Sequence, residues 1–361
     1  MEMIFYVHTF INPLHKSMLK NFPLSAVFFL LLFSACKKDP TSPDNTPQTP
    51  SATGVYILNE GNFGQNNSSL SYYDIKNKTI ANDVFSTVNS RPLGDIANAM
   101  VIRNNNGYIV VNNSDKIEII DVRNHQSLGT INAGAGKNPR RLAFINDSLA
   151  LVTNFNDSSV SLINVLQKTI VQRIPVGLYP DGIAVKNNRA YIANSGLGYG
   201  NTMSIINLTT MMTAQTFHIG DNPVLVQTDS DGEVYILCAG FDNDFSDTPG
   251  KIYVYRPATE SVVDSIFIGG HPFAMAITKT GIGFVVSEQK IVKLNTTTNT
   301  STGKFVDGTF YNVGVDETTG EVYCTDAKNF SAPGEVSIYS STAQFKKKFT
   351  VGIIPGAMAF K

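Results

Sequence analysis

From residue 54 onward the chain is a succession of short apolar and alternating runs, each closed by Gly, Asn, Asp, Ser or Thr. The segment from Gly182 to Gly220 shows the pattern. "GIAV" turns at "KNN" into "RAYIAN", crosses "SGLGYGNT" to "MSIINL", turns at "TTMM" and returns as "AQTFHIG". Period-two alternation split by turn residues predicts strands. Four antiparallel strands recur per unit, and no helical or heptad period runs through the chain.

The unit repeats. Gly-x-x-Pro corners open "GKNPRRLAF", "GLYPDGIAV", "GDNPVLVQT", "GGHPFAMAI" and "GIIPGAMAF". Two weaker copies join them: "NSRPLGDIANAMVI" lacks the glycine, and "GTFYNVGV" has Tyr311 in place of proline. The anchors are Pro92, Pro139, Pro180, Pro223, Pro272, Tyr311 and Pro355, spaced 39 to 49 residues apart. Seven four-stranded units predict an all-β, seven-bladed β-propeller spanning 54–361. The domain begins at "GVYIL", a second strand, and "GAMAFK" near the chain's end is a first strand. Pairing them closes the ring and removes both sheet edges, so the domain is expected to be monomeric.

The "VYIAN"-like and "SIINL"-like strands with their Gly-x-x-Pro corners resemble the YVTN-type β-propeller repeat. The chain has no Trp, which separates it from the WD40 variety.

Strand direction alternates within a blade, so loops between second and third strands share one face with the corners between blades. The other face carries compact turns such as "KNN", "DSDG" and "DETTG" and reads as scaffold. The first face carries "NEGNFGQNNSS", "NFNDSS", "NSGLGYGNT", "AGFDNDFSDTPG" and "AKNFSAPG". Two residues suffice for a hairpin, so these loops are long for a purpose other than connection. Asn59, Glu60, Asn62, Phe63, Asn154, Phe155, Tyr199, Phe241, Asp242, Phe245 and Phe330 belong to them. The corners add Arg91, Arg140, Arg141, Tyr179, Asp181, His271 and Tyr311. Amide and charged groups with aromatic surface on a rigid ring suit a ligand-binding rim, although any one aromatic can equally plug its own loop.

No catalytic constellation emerges. Past the leader, His125 falls on the scaffold side, His218 within a strand and His271 on the rim, so they do not converge as a metal triad. There is no Gly-x-Ser-x-Gly elbow. Asp242, Asp244 and Asp247 could hold Ca²⁺ from one loop, but the glycine and distal glutamate of a calcium loop are missing, and a solvated loop is the simpler reading. Glu60 is either a general base or a cap on its own loop. Cys238 and Cys324 sit in apolar strand patterns and read as small core residues rather than a disulfide. No cofactor is implied.

Composition adds exclusions. With 28 Lys and Arg against 29 Asp and Glu the net charge is −1, and it is −2 without the leader's Lys16, Lys20 and Glu2. That balance leaves no electrostatic footprint for nucleic acid. Residues 1–35 read as an export signal: "LSAVFFLLLFSAC" is an apolar run behind lysines and too short to span a bilayer. "FSAC" resembles a lipobox, which makes Cys36 the lipidated first residue, and Met18 is an alternative start. Residues 36–53, rich in Pro, Thr and Asp, form a tether. In extended form they reach on the order of 50 Å.

"VYILNEGNFGQNNSSLSYYD", "RPLGDIANAMVI", "GYIVVNNSDKIEIIDV" and "NPRRLAF" resemble the BtuG-like cobalamin-binding surface lipoproteins. That resemblance implies an outer-membrane, lipid-anchored protein that captures a nutrient such as cobalamin for a TonB-dependent transporter. A protein-interaction or adhesion propeller and a metal-dependent, lactonase-like hydrolase are the alternatives.

Overall fold

The computed structural model describes residues 54–243 and 246–361; the leader, Cys36, the tether, Asp244 and Phe245 lie outside the described residues. The described chain forms seven four-stranded antiparallel sheets around a central channel, together with one two-stranded hairpin, Asp242–Asn243 with Ser246–Asp247. The innermost strands are Ala97–Arg103, Pro139–Phe144, Pro180–Lys186, Pro223–Thr228, Ala274–Ile277, Asn312–Val315 and Pro355–Phe360. Each touches the next around the ring. The seven-bladed propeller expected from the repeats is therefore the observed fold.

Burial explains the two hydrophobic patterns. Second strands are sandwiched between neighbouring blades, so both of their faces are apolar: Val55, Tyr56, Ile57 and Leu58 are all fully buried. Fourth strands lie at the circumference, and Thr169–Pro175 buries only Ile174. Tyrosines tie blades together. The Tyr56 hydroxyl donates to the Val122 carbonyl at 2.8 Å, and that of Tyr235 donates to the Thr296 carbonyl of the next blade at 3.0 Å. Cys238 and Cys324 are free and buried, and burial pushes both thiols up.

The ring closes through Pro355–Phe360, which pairs with Gly54–Asn59 in the order Val55↔Phe360, Ile57↔Met358 and Leu58↔Ala357. Lys361 N–H donates to the Gly54 carbonyl at 2.8 Å. One blade thus joins the two ends of the described chain.

Blade 1 departs from the repeat. Its outer strand is only Thr79–Ala81, and the chain then forms a helix, Val84–Asn89. The reason is apolar content: Val84 and Phe85 are buried with Tyr56, Leu93 and Ile109 between blades 1 and 2, where an edge strand would leave them in water.

Removing Pro355–Lys361 exposes the inner edge of Gly54–Asn59 and breaks this closure. We expect the truncated chain to lose its cooperative thermal transition by circular dichroism, and a wild-type melt would refute closure as the stabilising constraint.

Candidate functional site

The inner strands are not straight at their starts. The pairing register shifts between Ala97 and Ala99, Pro139 and Leu142, Pro180 and Ile183, and Pro223 and Leu225, and again opposite Leu58/Asn59, where Gly356 is passed over. A bulge re-aims the side chains inside it. Here the bulged residues are Asn98, Arg140 with Arg141, Asp181 with Gly182, Val224 and Gly356, gathered at one end of the channel. Before five inner strands a non-glycine residue takes a left-handed conformation: Ile96, Asn138, Tyr179, Asn222 and Ile354. This equivalence corrects one anchor. Ala97, not Pro92, stands where five of the other repeats have proline and one has Tyr311, because the helix of blade 1 lengthens the corner before it.

The correction moves Arg91 off the rim. Its Nη2 donates to Glu118 Oε1 at 2.7 Å and Ser127 Oγ at 3.0 Å, and its guanidinium lies 4.8 Å from the Phe85 ring centre. Arg91 therefore braces the outer strands of blade 2. Asn98, absent from the sequence-derived set, occupies the corresponding position at the mouth.

Asn59 and Asn154 are also reassigned. Asn59 Nδ2 donates to the hydroxyls of Ser69 and Ser71, both at 3.0 Å, and Asn154 Nδ2 to those of Ser159 and Ser161, both at 2.9 Å. Asn194 repeats the arrangement with Thr202 and Ser204. Each asparagine clasps second strand to third from a buried position, so its amide holds the blade and does not face a ligand.

The charged side chains that remain converge. Arg140 Nε donates to Asp181 Oδ2 at 3.2 Å, Arg141 Nε lies 3.5 Å from Asp181 Oδ1, and Arg141 Nη1 donates to the Asn98 carbonyl at 3.3 Å. Glu60 accepts from the Tyr311 hydroxyl at 3.3 and 3.4 Å. A Cβ on Gly356 would come within 2.0 Å of Glu60 Oε1, so only glycine lets this carboxylate lie across the inner strand. Burial pushes the Glu60 carboxyl above its usual range, Arg140 and Arg141 pull against that, and the Tyr311 hydrogen bond assists them. Burial, with Glu60 adding to it, raises the Tyr311 phenol.

Two aromatic arms run outward from this centre. On one side Arg140 stacks 5.0 Å from Phe155, which meets Tyr179 edge-on at 5.2 Å. On the other, Tyr311 is 5.8 Å from Phe273 and 5.6 Å from Phe330. Asn62 joins the loops of blades 1 and 7 by donating to the Phe330 carbonyl at 2.6 Å, and Gly64 N–H donates to Asp95 Oδ2 of blade 2 at 2.8 Å. The long opening loop thus spans three blades and holds Phe63 out in solvent. Below the mouth the channel forms a cavity of about 330 Å³ lined by inner-strand residues including Met100, Leu142, Ile183, Met275 and Met358.

A separate hollow of about 170 Å³ lies between Tyr199, Leu197, Asn222, Asp242 and His271. His271 Nδ1 is 3.2 Å from the Ala239 carbonyl, and its Nε2 is 3.6 Å from Asp247. Phe241 is half-buried, its backbone N–H held by Thr248 Oγ1. Asp242 and Asp247 face each other across the short hairpin. Asp244 and Phe245 of the calcium and rim readings lie outside the described residues. Among the described residues no cluster of three or more His, Cys, Asp or Glu could hold a metal ion.

A family model described as "Domain of unknown function (DUF5074)" matches residues 53–349. The chain belongs to the DUF5074 family. No curated protein sequence matches it. Among solved structures, a quinonprotein alcohol dehydrogenase-like protein from Bacteroides thetaiotaomicron superposes with a TM-score of 0.67 at 16% identity, over 86% of this chain and 78% of that one. Hydrazine synthase from Kuenenia stuttgartiensis gives 0.59 at 16% identity, over 71% and 87%. Both likenesses show the fold alone.

Two expectations follow for this DUF5074 propeller. Because Glu60 holds its proton more tightly folded than unfolded, its ionisation costs stability: the cost is absent below the ordinary value of 4.5, grows as pH rises through the raised folded value, and is complete above it. Glu60→Gln should flatten this dependence, measured as denaturant midpoints between about pH 4 and pH 8. Equal pH profiles for the two proteins would refute the assignment. Asn154→Ala should lower unfolding stability by about 1–3 kcal/mol, because it leaves Ser159 and Ser161 without that donor.

Proposed function

We propose that this protein is a binding propeller, not an enzyme, which captures an amphipathic small molecule on its loop face. A cobalamin-like nutrient is the ligand and a TonB-dependent outer-membrane transporter the receiver. The observation that carries the reading is the distribution of exposed aromatic surface: Phe63, Tyr199, Phe273 and Phe330 lie in loops or corners of one face, around a polar charged centre, while the other exposed aromatics among the described residues, Phe267 and Phe345, sit on outer strands. Concave sites with apolar walls and a few convergent polar groups are where proteins hold small ligands. The rigid ring of blades keeps the ordering cost of binding low.

The anchor reading is compatible with this use. Gly54 enters blade 1 on the compact-turn face, beside Lys361 and opposite the loop face. The cobalamin and transporter assignments rest on the likeness of "VYILNEGNFGQNNSSLSYYD" and its neighbours to the surface lipoproteins.

The test is calorimetric titration of the full chain, purified in detergent, with cyanocobalamin. We expect a saturable one-to-one curve in the submicromolar range. Tyr199→Ala and Phe330→Ala should each weaken it by roughly tenfold, about 1.4 kcal/mol. Flat heats at high protein concentration would overturn cobalamin as the ligand.

A further inference from the structure

The channel mouth has an excess of unused hydrogen-bond donors. Arg140 turns its Nε to Asp181, and among the described residues its two terminal nitrogens have no acceptor. Stacking on Phe155, itself braced by Tyr179, holds the guanidinium plane in place, so the open fork is pre-oriented. Arg141 gives one Nη to the Asn98 carbonyl, and its other terminal nitrogen has no acceptor among the described residues. Arg141 Nε and Asp181 Oδ1 are both buried without a hydrogen bond, 3.5 Å apart. A buried polar atom left unpaired carries a desolvation cost that a bound group can relieve.

Charge points the same way. Two guanidinium groups share one carboxylate, that of Asp181, which is only 8% exposed. The second carboxylate of the mouth, Glu60, makes no ion pair with either arginine; it is engaged by Tyr311, and burial favours its protonated form. A planar fork backed by a second arginine matches the oxygens of a carboxylate or phosphate, and charge-assisted bonds of this kind are about twice as strong as neutral ones. Across the mouth, Tyr311 is within electrostatic reach of both arginines, and the Phe273 and Phe330 rings pack against it, so an apolar body attached to such an oxyanion would rest there.

We propose that the channel mouth is an oxyanion subsite: Arg140 and Arg141 receive a carboxylate or phosphate group of the captured ligand while its apolar body lies on the aromatic arm. This rests on the loop face being a ligand site, and it names the chemical class that the mouth selects. Asp181 is the internal competitor, occupying the inner edge of both guanidinium groups.

The experiment compares phenyl phosphate, benzoate and neutral benzamide on the full chain in detergent, by ligand-observed NMR titration at low salt. Both anions should bind at least tenfold more tightly than benzamide, and the better of the two identifies the phosphate or carboxylate source. Arg140→Gln and the charge-preserving Arg140→Lys should each weaken anion binding about tenfold, since lysine keeps the charge and loses the fork. Asp181→Asn should tighten it by freeing both guanidinium groups. Thermal melts identify any variant that misfolds, and Arg140→Lys with Asp181→Asn then carry the test in opposite directions. Equal binding of all three probes, or an Arg140→Lys protein that binds phenyl phosphate as the wild type does, overturns the subsite and leaves the loop-face reading standing. Anion binding without cyanocobalamin binding retains the subsite and removes cobalamin.

Discussion

The pairing of Pro355–Phe360 with Gly54–Asn59 is the constraint on which the rest of the molecule depends. Seven sheets can enclose a channel only if the ring has no open edge, and each inner strand is held by neighbours that presuppose closure. The same pairing builds the site. Glu60 follows directly on Asn59; Glu60 N–H donates to the Ile354 carbonyl at 2.8 Å and Gly61 N–H to the Ile353 carbonyl at 3.1 Å. These bonds set the Glu60 carboxylate over Gly356. The stability device and one wall of the mouth are therefore the same few hydrogen bonds.

Repetition supplies the frame, and departures from it supply chemistry. The bulge at the start of an inner strand recurs in five of the seven blades, and the residue it presents differs: Asn98, Arg140, Asp181, Val224 and Gly356. A backbone irregularity that is structurally equivalent from blade to blade thus displays an amide, a cation, an anion, an apolar side chain and a gap at one level of the channel. Gly182 shows how tight the arrangement is, because a Cβ there would fall 2.6 Å from the Leu225 backbone of the adjacent inner strand. The mouth carries opposite charges close together in a half-buried setting, where electrostatic terms outweigh those at an open surface.

The asparagine clasps illustrate how one residue type divides between frame and site. Asn59, Asn154 and Asn194 end second strands and hold serine or threonine hydroxyls of third strands. Asn62, three residues past such an end, bridges two blades at the rim. Position relative to the strand end decides which role an asparagine takes, since the last strand residue still points between blades while the next few point into the loop.

Blade number, strand order, ring closure and the face carrying the long loops were legible in the chain, because burial between blades imposes a continuous apolar second strand, a polar outer strand and a turn in every copy. Arg140, Arg141 and Asp181 were legible too, as the residues just after an anchoring proline. The sequence by itself therefore determined the architecture and which loops share a rim. Only the tertiary structure decided which rim residues meet. It withdrew Arg91, Asn59 and Asn154 into structural bonds, brought Asn98 to the mouth, and set Glu60 from the first described loop against Tyr311 from the last blade. The physical reason is that strand pattern is a local property read along one blade. A channel mouth is assembled from different blades, and its contacts follow from closure, bulge geometry and one corner lengthened by a helix.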